Sequence, residues 1–74
     1  MVTVRLFAAA REAAGTDRLE IDAGPVVPQL QQSGGRFAEV LAVCTVICDG
    51  LRLGPDDAVP DGSVVDVLPP FAGG

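Results

Sequence analysis

The stretch VTVRLFAAAREAAG, residues 2–15, changes periodicity halfway along its length. Its first six residues alternate in the way typical of a half-buried β-strand, so that Val2, Val4 and Leu6 face a core and Phe7 faces away from it. The alanine-rich part that follows contains strong helix formers and ends at Gly15, which suits a helix C-cap. This stretch therefore predicts a strand followed directly by a helix of about two turns.

Two further alternating runs predict strands later in the chain. DRLEID, residues 17–22, places Leu19 and Ile21 on one face and predicts a second strand in a hairpin-like pair with the first. SVVDVL, residues 63–68, predicts the final strand, with Leu68 facing away from the core by the same alternation.

The middle of the chain, residues 23–43, has a mixed signal. Pro25 and Pro28 limit where a helix can begin, and the glycine pair 34–35 interrupts it. After the glycines, apolar residues recur at helical spacing: Phe37, Val40, Leu41 and Cys44. The pattern leaves two alternatives open, one helical region broken by glycines or two short helices.

The remaining segments predict a strand and turns. CTVICDG, residues 44–50, is typical of a strand closed by an Asp-Gly turn, and DDAVPDG, residues 56–62, has the composition of turns. The sequence thus predicts an α+β fold, a mixed sheet of four to five strands packed on one main helical region. With 74 residues and no linker, residues 1–74 are expected to form a single domain.

Composition and charge exclude several classes of function. Ten acidic residues against five arginines give a net charge of −5, which repels a phosphate backbone, so nucleic-acid binding is not expected. Six of the acids lie in residues 38–74 and could steer a basic protein partner or simply keep the surface soluble. The longest nearly uncharged run, residues 40–48, falls far short of the roughly 20 residues of a membrane span. With no visible signal peptide, we expect a cytoplasmic protein that does not bind membranes.

The chain offers little for catalysis or metal binding. It contains neither histidine nor lysine, so its hydroxyl residues lack a usual general base. Cys44 and Cys48 alone cannot form a closed zinc or iron–sulfur site and are expected to be structural thiols. The acids of residues 56–61 do not have the spacing of a calcium loop. The folded body is therefore predicted to be a scaffold, with no bound metal or cofactor.

The sequence LPPFAGG, residues 68–74, is the remaining candidate. Two prolines stiffen the exit from the last strand, and Ala72, Gly73 and Gly74 are small enough to enter a narrow channel on another protein. The α-carboxylate of Gly74 would then be presented to an acyl-activating partner. A frayed end without function is the alternative.

Two segments carry a family resemblance. VRLFAAAREAAGTDRLEID, residues 4–22, and DGSVVDVLPPFAGG, residues 61–74, resemble the small subunits of molybdopterin synthase, within the MoaD/ThiS sulfur carriers of the β-grasp (ubiquitin-like) fold. The resemblance implies that an adenylating enzyme activates Gly74 with ATP and that a sulfurtransferase converts it to a thiocarboxylate. The sulfur would then build the dithiolene of molybdopterin. The interrupted helical region, residues 23–43, departs from the single longer helix usual in that family.

The resemblance also implies partners and a division of labour. Catalysis would reside in the large subunit of molybdopterin synthase, in a heterotetramer of two small and two large subunits. A flexible tail, residues 69–74, would thread into that subunit through the following residues: Pro70, Phe71, Ala72 and Gly73.

Phe7 and Leu68 would form an apolar contact patch for the large subunit, unless they pack under a neighbouring loop. The open alternatives for the whole protein are a sulfur carrier for thiamine or cysteine biosynthesis, a ubiquitin-like protein modifier, and a plain interaction module.

Overall fold

The computed structural model describes residues 1–70 of the chain. It contains seven strands and three helices within that range, in the following order. They are β1 (Val2–Leu6), α1 (Ala8–Ala14), β2 (Arg18–Ile21), β3 (Gly24–Pro25), α2 (Val26–Gln31), α3 (Gly35–Leu41), β4 (Thr45–Cys48), β5 (Leu51–Arg52), β6 (Ala58–Val59) and β7 (Val64–Leu68).

Five strands form one mixed sheet in the order β2-β1-β7-β4-β5, at the upper end of the predicted four to five. The first and last strands of the sequence pair in parallel at its centre, with Val4 opposite Val65. The β1–β2 pair is antiparallel, as predicted, and places Leu19 opposite Val4. β7 also pairs antiparallel with β4.

The predicted strand-to-helix transition is confirmed. β1 ends at Leu6, and Phe7, in extended conformation, is the N-cap of α1. At the other end Gly15 adopts φ 76°, and its N–H donates to the carbonyl of Arg11 at 3.0 Å. This left-handed conformation is accessible to glycine at little cost, so Gly15 ends the helix where the sequence predicts.

Of the two alternatives for residues 23–43, two short helices is the correct one. Gly34 (φ 63°) and Gly35 (φ 58°) both take positive φ and separate α2 from α3. Pro28 is tolerated because it lies in the first turn of α2, where its missing N–H would have no intrahelical acceptor. α3 ends at Leu41, earlier than the apolar spacing suggested, and a turn bond from the Cys44 N–H to the Leu41 carbonyl follows at 3.0 Å.

The core lies between the helices and one face of the sheet. Its buried residues combine the inward positions of three strands of the main sheet (β1, β4 and β7) and β6 with one stripe from each helix: Val2, Val4, Leu6, Ala10, Val26, Leu30, Phe37, Leu41, Val46, Cys48, Val59, Val65 and Val67. Leu19 and Ile21 of β2 pack against this cluster from the edge of the sheet, as the alternation predicts. Within residues 1–70 the helices pack on this one face, and the other face remains open.

One prediction needs correction. The segment 56–62 is not only turns, because Ala58 and Val59 form β6 and pair with Gly24–Pro25 of β3 in a second, two-stranded sheet. Val59 is buried in the core. A strand of two residues is too short to display an alternating pattern, so tertiary packing alone makes it recognisable.

Cys44 and Cys48 are free thiols, and burial raises the pKa of both. They therefore remain protonated at neutral pH, which suits the structural role predicted for them. In the described range no cluster of three or more histidine, cysteine or carboxylate side chains could hold a metal ion. Over those same residues, none of the helices is both long and apolar enough to cross a membrane.

The β4–β5 hairpin provides a test of the turn chemistry. Asp49 and Gly50, its two central residues, have φ values of 51° and 78°, as a type I′ turn requires. A Cβ at Gly50 would meet no atom within 4 Å, so only backbone conformation opposes a side chain there. Gly50→Ala should lower the free energy of unfolding by about 1 kcal/mol.

Gly54→Ala is the matched control, since Gly54 lies outside the positive-φ region and its added Cβ would make only an ordinary contact with Asp57. Chemical denaturation of both variants measures the difference. Equal destabilisation by the two substitutions would show that the positive φ of Gly50 is not the cause of the lost stability.

Candidate functional site

The chain leaves the sheet at the carboxyl end of β7. Pro69, directly after the strand, is buried, and Pro70 is exposed. The other predicted threading residues and the predicted sulfur-bearing residue lie outside the described residues: Phe71, Ala72, Gly73 and Gly74. The described structure therefore defines the surface from which this segment departs.

Phe7 and Leu68 lie side by side on that surface. Leu6 of β1 is in register with Val67 of β7, so the next positions of the two parallel strands are Phe7 and Leu68. Leu68 also pairs with Thr45 of β4 and is half-buried, and Phe7 is 37% exposed. The two predicted contact residues thus come together at the sheet end where the chain emerges; we call this pair the exit patch.

An ion pair on the open face of the sheet borders the exit patch. The Arg5 guanidinium donates from Nε to one oxygen of Asp66 at 2.6 Å and from Nη2 to the other at 2.8 Å. The Asp66 carboxylate raises the pKa of Arg5 above its usual value, through these hydrogen bonds and by charge. The same guanidinium lies over the Phe7 ring, 5.8 Å from its centroid, a cation–π geometry that holds the ring beside the sheet.

Next to this ion pair is a pocket that sequence reasoning missed. It has a volume of about 200 Å³ and brings together three arginines from β1, α1 and β2, namely Arg5, Arg11 and Arg18. Their positions in the sequence, 5, 11 and 18, show no motif. The alternation of β1 and β2 places Arg5 and Arg18 on one face of the sheet. The predicted hairpin-like pairing was the signal from which their contact across the two strands could have been inferred. The third arginine required the three-dimensional path of α1.

The charged groups are polarised along the strands. The arginine pocket lies at the exit-patch end, whereas Asp22, Asp49 and Asp61 follow or precede strands at the opposite end of the sheet. At that opposite end the ammonium group of Met1 forms an ion pair with Asp61. The end of the sheet from which the chain emerges thus carries three arginines, with Asp17 in the pocket and Asp66 paired with Arg5 beside them.

The comparisons with known proteins decide the family. The model of the ThiS family matches residues 4–74, nearly the whole sequence. The chain belongs to the ThiS family. ThiS-family proteins are small sulfur carriers, and this chain is a sulfur carrier of that kind. The resemblance stated from the two terminal segments is thereby confirmed.

Solved structures agree with this assignment. A Pyrococcus furiosus protein assigned as molybdopterin converting factor, subunit 1, is 28% identical with a TM-score of 0.72, over 93% of this chain and 95% of its own. A complex of subunits 1 and 2 of molybdopterin-converting factor from Helicobacter pylori contains a chain 25% identical, with a TM-score of 0.70, over 99% of this chain and 97% of that one.

SAMP1 from Haloferax volcanii, at 24% identity and a TM-score of 0.63 over 99% of this chain and 98% of its own, shares the fold. These likenesses confirm the predicted β-grasp, ubiquitin-like fold. The curated protein sequences contain no match to this chain.

The exit patch should contribute little to folding. Phe7 is partly exposed at the margin of the sheet, whereas its neighbour Leu6 is buried in the core. Phe7→Ala should therefore reduce the free energy of unfolding by less than about 1 kcal/mol, and Leu6→Ala should reduce it by about 2–5 kcal/mol. Urea denaturation of the two variants tests this. A comparable loss in both would place Phe7 in the core and remove it from the patch.

Proposed function

We propose that this protein is the sulfur-carrying small subunit of a molybdopterin synthase. In this proposal Gly74 bears a thiocarboxylate whose sulfur is donated to the molybdopterin dithiolene. The observation that carries the proposal is the likeness, over 99% of the chain, to a subunit solved in a complex of the two subunits of molybdopterin-converting factor. The ThiS-family match, which extends through residue 74, supports the same role for the C-terminal residues.

The chemistry requires activation of an unreactive carboxylate. An oxygen of the Gly74 carboxylate attacks the α-phosphate of ATP, which forms an acyl-adenylate and releases pyrophosphate. A persulfide held by a sulfurtransferase then displaces AMP and forms an acyl disulfide with Gly74. A second thiol attacks the donor sulfur of that disulfide, which forms a new disulfide with the donor and leaves the thiocarboxylate on Gly74. Glycine suits this position because it has no Cβ to crowd the carbonyl carbon or restrict its backbone in a narrow channel.

The catalytic groups for these steps would come from the partners. The sequence contains no histidine or lysine to act as a general base or to form a covalent intermediate. We therefore assign activation to an adenylating enzyme, sulfur loading to a sulfurtransferase, and transfer to the large subunit. ATP is consumed by the adenylating enzyme, and the carrier itself needs no bound cofactor. This cycle would take place in the cytoplasm.

The geometry suits delivery of the Gly74 carboxylate into a partner. Pro70 is exposed directly after the buried Pro69, so the chain leaves the fold at a defined point beside Phe7 and Leu68. We propose that the exit patch docks on the large subunit while residues 70–73 thread towards its active site. Two such carriers and two large subunits would form the heterotetramer.

Sulfur carriers for thiamine or cysteine biosynthesis would use the same Gly74 chemistry with a different acceptor protein. A protein modifier would instead transfer the activated Gly74 acyl group to an amine. Since this chain contains no lysine, its own N-terminal amine is its only possible acceptor of that kind. Adducts of higher mass on unrelated proteins, dependent on Gly74, would favour the modifier function.

Intact-mass measurement tests the proposal directly. After incubation with the cognate adenylating enzyme, sulfurtransferase, ATP and a sulfur donor, the protein should gain about 16 Da, from replacement of one oxygen by sulfur. Tandem mass spectrometry should place the gain on Gly74. A variant that lacks Gly74 should show no gain while retaining its melting temperature.

An unchanged wild-type mass, with the same enzymes active on an established carrier, would refute the sulfur-carrier chemistry. A large drop in melting temperature on deletion of Gly74 would show that the residue belongs to the fold.

The exit patch should affect binding more than folding. Phe7→Ala and Leu68→Asp should each weaken the complex with the large subunit at least about tenfold, because central apolar contacts dominate such interfaces. Leu51→Ala is the matched control, since Leu51 is 70% exposed at the opposite end of the sheet. Calorimetric titration gives the affinities and thermal unfolding gives the stabilities.

Parallel loss of fold and binding in the Phe7 and Leu68 variants would assign these side chains to the core. An equal loss of affinity in the Leu51 control would show that the binding surface is not located at the exit patch.

A further inference from the structure

The arginine pocket has a composition unlike the rest of the surface. Three of the five arginines in the chain line it, together with Leu6, Phe7 and Asp17. The pocket is open to solvent and has a volume of about 200 Å³, enough for one or two carboxylate groups. The lining therefore holds three arginines against one acid, Asp17, in a chain whose net charge is −5, and this local excess of positive charge calls for an explanation of its own.

The positive charges are held together against their mutual repulsion. Arg5 of β1 and Arg18 of β2 are directly opposite in the antiparallel register, a like-charge arrangement that destabilises a sheet. Asp66 compensates Arg5 from the other side through two hydrogen bonds. Arg18 has no such ion pair with any residue from 1 to 70, so its charge remains available on the open face.

Arg11 reaches the same pocket from the last turn of α1. A cation is favourable there because the carboxyl end of a helix carries partial negative charge, so helix stability alone explains an arginine at this position. It does not explain why the side chain lines a pocket with two other arginines. Across residues 1–70, Arg11 also forms no ion pair.

The location of the pocket limits what it can bind. Phe7 belongs to both the pocket and the exit patch, so the two surfaces are continuous at the end of the sheet where the chain emerges. A protein that contacts Phe7 and Leu68 would therefore lie against Arg11 and Arg18. Nucleic acid is a poor candidate for the same surface, because the acids on the rest of the chain repel a phosphate backbone.

We propose that the arginine pocket binds carboxylate side chains of the protein that receives the C-terminal segment. This inference rests on the proposed function and extends it to the chemistry of the partner's surface. Arg11 and Arg18 donate bidentate hydrogen bonds to aspartate or glutamate side chains on the rim of the partner's channel. The same acidic rim repels the acids at the far end of the sheet. Its electrostatic field therefore orients the exit-patch end of the protein towards the partner before contact.

Charge-reversal variants test the proposal. Arg11→Glu and Arg18→Glu should each slow association with the cognate large subunit about tenfold at low ionic strength, and they should flatten the dependence of the association rate on salt. Arg36→Glu is the matched control, because it makes the same change in net charge on α3, on the helix-covered side of the sheet. Its association rate should stay within about threefold of wild type.

Arg11→Gln and Arg18→Gln remove the positive charge without reversing it, so they should slow association less than the corresponding glutamate variants do. Thermal unfolding of all variants shows whether any of them fails to fold. Surface plasmon resonance at several salt concentrations provides the association rates.

The outcomes separate this inference from the proposed function. Slower, less salt-dependent binding by the Arg11 and Arg18 variants alone supports the carboxylate-binding pocket. Equal slowing by Arg36→Glu, or no slowing in any variant, overturns it while the sulfur-carrier function stands. A wild-type protein that acquires sulfur but binds no large subunit refutes the pocket's proposed partner and the molybdopterin assignment. A wild-type protein that does neither refutes the carrier function as well.

Discussion

The parallel pairing of β1 with β7 is the constraint on which the rest of the structure depends. It joins the first strand of the chain to the last at the centre of the main sheet, and Val4 and Val65, opposite each other, are completely buried. β2 and β4 add to the outer edges of this pair, and the helices cover its apolar face. Because the two strands run in the same direction, Phe7 and Leu68, which follow the paired residues Leu6 and Val67, lie side by side at one end of the sheet. The exit patch is thus a direct consequence of this pairing.

The two faces of the sheet have different tasks. The inner face is formed almost entirely of valine, leucine and isoleucine, and a domain of this size needs all of that apolar area for stability. The outer face carries the Arg5–Asp66 ion pair and the half-exposed apolar residues next to it. The chain with this two-faced sheet belongs to the ThiS family of small sulfur carriers.

Charge adds a direction to this scaffold. Turns at one end of the sheet carry acids, and the strand and helix ends at the other bring three arginines into one pocket. Neither group resembles a catalytic or metal site. The three arginines, with Asp17 and Asp66 beside them, lie at the end near Pro70, where the chain leaves the described fold.

The sequence alone determined the elements with clear periodicity and the family to which the chain belongs. The strands at residues 2–7 and 63–68 and the helix closed by Gly15 could be predicted because each of these patterns extends over five or more residues. The family could be predicted from the two terminal segments. Tertiary structure decided what depends on distant partners. Examples are the strand β6, the choice of two short helices for residues 23–43, and the meeting of Arg5, Arg11 and Arg18. A two-residue strand has no periodicity, and side chains on three separate elements converge only when the sheet assembles, so no local pattern could reveal them.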